Sequence, residues 1–329
     1  MIGYILRRIG IMIPTLFVIS IISFAVIQLP PGDFLSSYVA QLSSQGESVD
    51  ASELKSLQDR YGLGKPLYQQ YFKWIGGILL RGDWGQSMEW QKPVKDLIWE
   101  RMALTVALSL IALLVSWFIA IPLGVFSATH QYSFLDYFVT LISFIGIGTP
   151  GFVLALLVMW FAMSQFGMNV GGLFSEKYMN APWDWNKVVD MMQHLWIPIL
   201  ILALNGTAGG LRTTRANLLD ELNKPYVETA RSKGLTESKV IWKYPVRVAL
   251  NPFFSTVGWE LANLISGATL ISVVLSLQTT GPMMLRALTS QDMYLAGSFL
   301  LLLSSLTVIG TLVSDVLLAW IDPRIRLSL

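Results

Sequence analysis

A charged stretch between two apolar segments, Leu211–Pro252, carries the residue types and spacing of a structured connection. Asn223 is a predicted helix cap, and Pro225 suits a first helical turn, where its missing N–H is not needed. Gly234 suits the left-handed residue that ends a helix, and Thr236 is the predicted cap of a second helix. The pattern therefore predicts two short helices joined at Gly234 and held at a membrane face. We call residues 225–247 the elbow.

Residues that could catalyse a reaction or bind a metal are scarce. The chain has no cysteine and two histidines, His130 and His194, which fall in separate connections. A phosphate-binding GxxxxGK[ST] loop is absent, since Gly62-Leu-Gly-Lys65 continues with Pro66. We therefore predict no catalytic residues, no metal site and no bound cofactor. ATP hydrolysis, if it is used, must occur on another polypeptide.

The composition is that of a membrane protein. Of the 329 residues, 53% are hydrophobic and 13% are charged, whereas about a quarter of the residues of a soluble domain are charged. Apolar runs of about twenty residues predict a polytopic, all-α membrane protein. The first run, 9–29, is longer than the apolar region of a signal peptide and lacks a cleavage site, so we interpret it as a retained span. No nucleic-acid partner is expected.

Six transmembrane helices are predicted. The spans are residues 9–29, 102–128, 134–167, 195–210, 253–277 and 294–321. A straight helix over 134–167 would be about 51 Å long, against a bilayer core of about 30 Å, and Pro150 interrupts it. Basic residues prefer the cytoplasmic side, so Arg7, Arg8 and the basic segment 212–247 should share that side. An even number of crossings must therefore separate these two basic segments, so 134–167 counts as one bent crossing. Both chain termini are then in the cytoplasm.

Two polar segments are predicted to lie outside the cell. Residues 30–101 are too long for a structureless loop, so we expect a small external cap with a short amphipathic helix around Leu57. The predicted organisation is thus 1–29, then the cap, then a core of five spans over 102–329. The segment 168–196 is rich in tryptophan, which is typical of an aromatic belt at the membrane surface. The alternatives are a platform on which a sugar or peptide stacks and a docking site for a binding protein.

Several stretches resemble one family. Glu228-Thr229-Ala230, followed after three residues by Gly234, resembles the EAA loop of ABC importer permeases. The longer context YVETARSKGLTESKVIWKYPVRVALNP, the earlier stretch YGLGKPLYQQYFKWIGGILLRGDWGQS and the terminal Asp322-Pro-Arg are similar to the dipeptide/oligopeptide permeases. The sequence departs from the general EAA pattern at Tyr244, Val246 and Arg247, where that pattern has an Ile-x-Leu-Pro-like tail.

The resemblance implies a permease subunit with the MetI-like fold in a bacterial or archaeal plasma membrane. Its partners would be a second, homologous permease, two ATPase subunits that bind the ATP, and an extracytoplasmic solute-binding protein. The expected cargo is a peptide, with oligosaccharides, nickel chelates and glutathione as the alternatives in the family. The elbow would be the coupling helix that docks on an ATPase. The predicted coupling residues are Tyr226, Glu228, Ala230, Lys233, Gly234, Leu235, Thr236 and Lys239.

The fifth span contains the candidates for a transport path, which are Glu260, Asn263, Ser266 and Gly267. A charge within the bilayer costs about 2.5–3.5 kcal/mol on insertion scales, so it is usually paired or faces a pore. Glu260 could therefore line the path or contact a substrate amine, or it could lie near the inner end of the helix and reach interfacial water or a cytoplasmic arginine. Glu260 and Asp315 are also the acidic residues that an ion-coupled secondary carrier, the alternative class, would require.

Overall fold

The computed structural model describes residues 2–28, 55, 65–87, 89–167, 171–178, 181–182, 184–290 and 292–321. The predicted amphipathic helix around Leu57 and the terminal Asp322-Pro-Arg lie outside these ranges, as does most of the predicted cap. The described residues form α1 Ile2–Gln28, α2 Leu67–Gly76, α3 Val94–Thr129, α4 Phe134–Gly148, α5 Gly151–Phe166, α6 Trp185–Leu222, α7 Pro225–Ser232, α8 Glu237–Lys243, α9 Pro245–Ala249, α10 Asn251–Val274, α11 Thr280–Thr289 and α12 Met293–Ile321.

The all-α membrane fold predicted from the sequence is confirmed. Five helices, α1, α3, α6, α10 and α12, are long and apolar enough to cross a bilayer. Helices α4 and α5 are separated by Thr149 and Pro150 and are bent by 106°. Proline disfavours helical backbone at the residue before it, and Thr149 is accordingly extended, with φ −103° and ψ 122°. Counted as one bent span, this pair brings the number of candidate crossings to six.

Two predicted spans have different bounds in the structure. The helix α3 begins at Val94, eight residues before the predicted span, and Thr280–Thr289, between the fifth and sixth predicted spans, forms the further helix α11. The fourth span was predicted over residues 195–210, yet α6 is continuous from Trp185 to Leu222, with Pro198 inside it. Lipid offers no hydrogen bonds to a peptide group, so helical structure persists in a membrane through residues that end helices in water. Arg215, expected in the cytoplasmic loop, consequently lies on α6.

The described residues divide into two compact units. The first is built mainly from Leu104–Pro282 and the part of α12 from Ile309 onward, and its apolar core joins α3, α5, α6 and α10. The second contains most of α1 with α2, and the beginning of α12. In that unit α1 contacts α2 through Phe24 and Trp74, whose ring centroids are 5.8 Å apart, and through a 2.7 Å hydrogen bond between Ser20 and Tyr71.

Within the first unit, α10 crosses α12 at two glycines. A Cβ atom added to Gly258 would lie 2.0 Å from the carbonyl carbon of Gly310. The Gly258 N–H also donates to the hydroxyl of Ser314 at 2.8 Å. Small residues let membrane helices approach this closely. Here the neighbouring atoms belong to backbone and cannot move aside as a side chain would.

We expect Gly258→Ala to destabilise the protein by about 1–3 kcal/mol, because the new methyl group forces the two helices apart. The measurement is the midpoint of thermal unfolding in detergent. Gly267→Ala is the matched control on the same helix, since nothing lies within 4 Å of its added Cβ, and it should be neutral or slightly stabilising. Equal midpoints for the two variants would contradict this account of the crossing.

Candidate functional site

The elbow has the predicted helix–glycine–helix form. Helices α7 and α8 are joined at Gly234, whose φ of +74° is the left-handed value expected from the sequence. Pro225 begins α7, also as predicted. Asn223 does not cap that helix: it ends α6, and its side-chain amide donates to the Leu219 carbonyl, so Lys224 takes the cap position. Thr236 occupies the cap position of α8 without a side-chain hydrogen bond.

A small apolar core holds the two helices of the elbow together. Val227, Ala230 and Val240 are buried, and Leu235 and Tyr244 pack against them. Ala230 is 4% exposed, so the predicted coupling residue contributes to the shape of the elbow rather than to its outer surface. Leu235 is half-buried. The predicted coupling residues that remain exposed are Tyr226, Glu228, Lys233, Gly234, Thr236 and Lys239.

An ion pair bridges the glycine turn. Arg231 on α7 donates to Glu237 on α8 at 2.7 Å, with both side chains largely exposed. This guanidinium lowers the pKa of the Glu237 carboxyl. A depressed acid pKa stabilises the folded state at neutral pH, and the contribution is lost as the pH falls through that pKa. Because the pair is exposed, its contribution is at most about 1 kcal/mol.

The third elbow helix, α9, was not predicted, and it attaches the elbow to the spans. Val246 and Ala249 on α9 are buried against Leu218 of α6 and against Val125 and Ala128 of α3. The side chain of Asn217 donates to the Ala249 carbonyl at 3.4 Å. The apolar residues of α9 alternate too briefly to identify a helix from sequence. The elbow is therefore packed against the ends of α3 and α6.

A buried ion pair lies close to this attachment. Arg215 on α6 donates from Nε and from a terminal nitrogen to the two carboxylate oxygens of Asp136, each at 2.9 Å. The Ser127 hydroxyl and the Tyr132 N–H donate to the same carboxylate. Asp136 is 3% exposed. We call these four residues the Asp136 cluster. It joins the end of α3 and the beginning of α4 to α6, seven residues before α6 ends.

A cleft of about 520 Å³ opens between α3, α6 and α10. Of the predicted path residues, Glu260, Asn263 and Gly267 line it, at a spacing that places them on one face of α10. Ser266 does not line the cleft, and its hydroxyl donates back to the Ala262 carbonyl at 3.0 Å. The contributions of the other two helices were not predicted from the sequence. These are chiefly Ser116, Trp117, Asn205 and Thr213.

The polar groups of the cleft differ in kind from those of the Asp136 cluster. Within the part of the chain that the structure describes, the Glu260 carboxylate has no hydrogen-bonding or ion-pair partner, and neither do the amides of Asn205 and Asn263. No lining residue is basic. The alternative that Glu260 reaches an arginine is thus not realised among these residues. Asn205 is a polar residue within an apolar span. That feature of the sequence could have been used to predict that α6 also lines the path.

Two of the three tryptophans of the predicted external segment lie at the surface of a helix. Trp185 and Trp196 belong to α6 and are 76% and 51% exposed, whereas Trp183 lies outside the described residues. Their position at the beginning of a long apolar helix favours the membrane-belt interpretation over a stacking platform in a loop. Between these two tryptophans in the chain, Asp190 accepts hydrogen bonds from the N–H and the hydroxyl of Ser175, which ties the preceding loop to α6.

Comparison with known proteins defines the class. Residues 120–327 match the family described as binding-protein-dependent transport system inner membrane component, and residues 1–109 match its N-terminal membrane component. The chain belongs to this family. It is a multi-pass inner membrane permease subunit of an ABC importer, which works with ATPase subunits and a solute-binding protein. The family decides against the ion-coupled carrier.

Relatives that span the whole chain refine the likeness. The oligopeptide transport system permease protein AppB of Bacillus subtilis is 33% identical over 99% of this chain and 100% of its own. The peptidoglycan transport system permease protein YejB of Agrobacterium fabrum is 31% identical over 98% of each chain. The di/tripeptide transport system permease protein DppB of Pseudomonas aeruginosa is 30% identical over 99% of each. The resemblance to the dipeptide/oligopeptide permeases is confirmed.

Proposed function

We propose that this chain forms one half of the membrane path of a peptide importer, with the cleft as its share of the path and the elbow as the contact with an ATPase subunit. One observation carries the proposal: the helices that line the cleft are the helices that hold the elbow. Helix α6 enters the elbow, α10 leaves it, and Pro252 of the cleft follows α9 after two residues. A displacement of the elbow would therefore act on the helices that line the cleft.

The open side of the cleft favours a second permease as its cover. Asn205, Thr213 and Asn263 are exposed in the single chain although they lie on apolar spans. A homologous but different subunit would enclose these side chains and complete the path. ATP would bind to the ATPase subunits, and this chain would need no cofactor of its own and catalyse no reaction. The ATPases can shift the inward-facing and outward-facing states only through contacts that differ between the two.

Reconstituted transport tests the cargo. The chain is assembled in proteoliposomes with the permease, ATPases and binding protein encoded beside it, and ATP-dependent uptake of labelled trialanine is compared with uptake of a labelled tetrasaccharide. Uptake of the peptide alone is expected. Uptake of the sugar alone would reassign the cargo, and assembly without any ATPase subunit would contradict the proposed role of the elbow.

The lack of cysteine permits a direct test of orientation. Single cysteines are placed at Lys239 on the elbow and at Lys92, an exposed residue before α3. A membrane-impermeant maleimide should label Lys92→Cys in intact cells and Lys239→Cys only after the cells are opened. An ATPase subunit should protect Lys239→Cys in the assembled complex. Labelling of Lys239→Cys from outside would place the elbow on the wrong side of the membrane for coupling.

A further inference from the structure

The carboxylate of Glu260 is the charge that the cleft presents to its contents. Among the described residues that line the cleft, the others are polar without charge, or apolar. Glu260 lies nine residues beyond the start of α10, so it stands about 14 Å along the helix from the elbow end. Glu260 is therefore the acidic group that a cargo in the cleft would meet.

The surroundings of Glu260 match one end of a peptide. One turn further along α10, the amide of Asn263 faces the same space, and the amide of Asn205 faces it from α6. Each amide offers a donor and an acceptor, which is what a peptide group requires. Beyond Glu260, Gly267 leaves the cleft unobstructed, because nothing lies within 4 Å of the position of its missing Cβ.

We propose that Glu260 binds the cationic group of a peptide in transit, and that the cleft thereby favours cargo carrying a free ammonium or guanidinium. This inference rests on the proposed peptide function. A carboxylate and an ammonium form a charge-assisted hydrogen bond, which is stronger than the neutral bonds of the amides. The ammonium can come from the peptide N-terminus or from a lysine side chain. A cargo carboxylate meets no basic lining residue here, so the preference is for the cationic end.

Uptake of three peptides separates the two sources of the cation. Proteoliposomes containing the complete importer are supplied with trialanine, N-acetyl-trialanine or N-acetyl-Ala-Lys-Ala, each at a concentration that saturates the binding protein. We expect Glu260→Gln to lower uptake of the cationic peptides about tenfold and to leave N-acetyl-trialanine unchanged. Loss of trialanine uptake alone assigns the N-terminus, and loss of N-acetyl-Ala-Lys-Ala uptake alone assigns the side chain. Equal loss for all three, or for none, would overturn the inference.

Asp220→Asn is the matched control, since it makes the same kind of carboxyl-to-amide change at an exposed residue of α6 outside the cleft. It should affect the three peptides alike. Thermal unfolding of the importer without its binding protein gives an independent readout. Trialanine should raise the unfolding midpoint of the wild type but not of Glu260→Gln, and N-acetyl-trialanine should raise neither.

The two measurements also separate this inference from the function on which it rests. A wild-type importer that takes up no peptide contradicts the proposed function, and the unfolding midpoints then still decide about Glu260. Equal midpoint shifts in the wild type and in Glu260→Gln, or no shift in either, count against a cation site. Such a result would indicate that Glu260 contacts the second permease rather than the cargo.

Discussion

Arg215→Met is expected to lower the free energy of unfolding by about 3 kcal/mol, the lower end of the usual cost of breaking a buried ion pair, because the Asp136 side chain is 3% exposed whereas Arg215 is 27% exposed. Asp136 would stay buried with its charge uncompensated, because the Ser127 hydroxyl and the Tyr132 N–H donate hydrogen bonds but no positive charge. This loss of stability would arise where the end of α3 and the beginning of α4 contact α6. The midpoint of thermal unfolding in detergent or nanodiscs measures it.

Arg212→Met is the matched control. Arg212 lies one helical turn earlier on α6, is exposed, and stands 5.4 Å from the ring centroid of Phe144, an interaction of about 0.5–1 kcal/mol. Asp136→Asn combined with Arg215→Met should cost less than the sum of the single changes, because the double variant buries no unpaired charge. If Arg215→Met costs no more than Arg212→Met, the Asp136 cluster does not fasten these helices.

The second large effect concerns coupling at Gly234. A β-branched residue at its φ of +74° costs about 1–2 kcal/mol, and Gly234→Val should therefore change the angle between α7 and α8. Nothing lies within 4 Å of the position of its missing Cβ, so the cost arises from backbone conformation and not from a clash. A shift of 1–2 kcal/mol changes an equilibrium 5–30-fold. We expect the amount of cargo imported per ATP hydrolysed to fall several-fold.

A series of side chains at this position tests the cause. Asparagine tolerates left-handed backbone better than other residues with a Cβ, so Gly234→Asn should retain most of the coupling and Gly234→Ala should be intermediate. Cargo uptake and ATP hydrolysis are measured together on the same proteoliposomes. Normal import per ATP in Gly234→Val would refute the view that the turn sets the coupling geometry. Equal loss in all three variants would point instead to a direct contact of the glycine with the ATPase.

Many features of the molecule could be predicted from local backbone and side-chain chemistry. Apolar runs identify the spans because a bilayer requires about twenty such residues to cross it. Pro225 and Gly234 identify the elbow because their backbone preferences are intrinsic. Glu260 was recognisable as a candidate because a charge within a span is costly. By contrast, caps depend on where a neighbouring helix ends, and Asn223 was assigned to the wrong helix because α6 continues to Leu222.

The sequence by itself thus determined the class of protein, the approximate positions of the spans and the hinge of the elbow, since each follows from residues adjacent in the chain. Tertiary structure alone decided which side chains meet. It buried Ala230 inside the elbow, paired Arg215 with an aspartate 79 residues away, and turned Ser266 away from the cleft. Such contacts join residues far apart in the chain, and the packing of whole helices, rather than local backbone preference, brings them together.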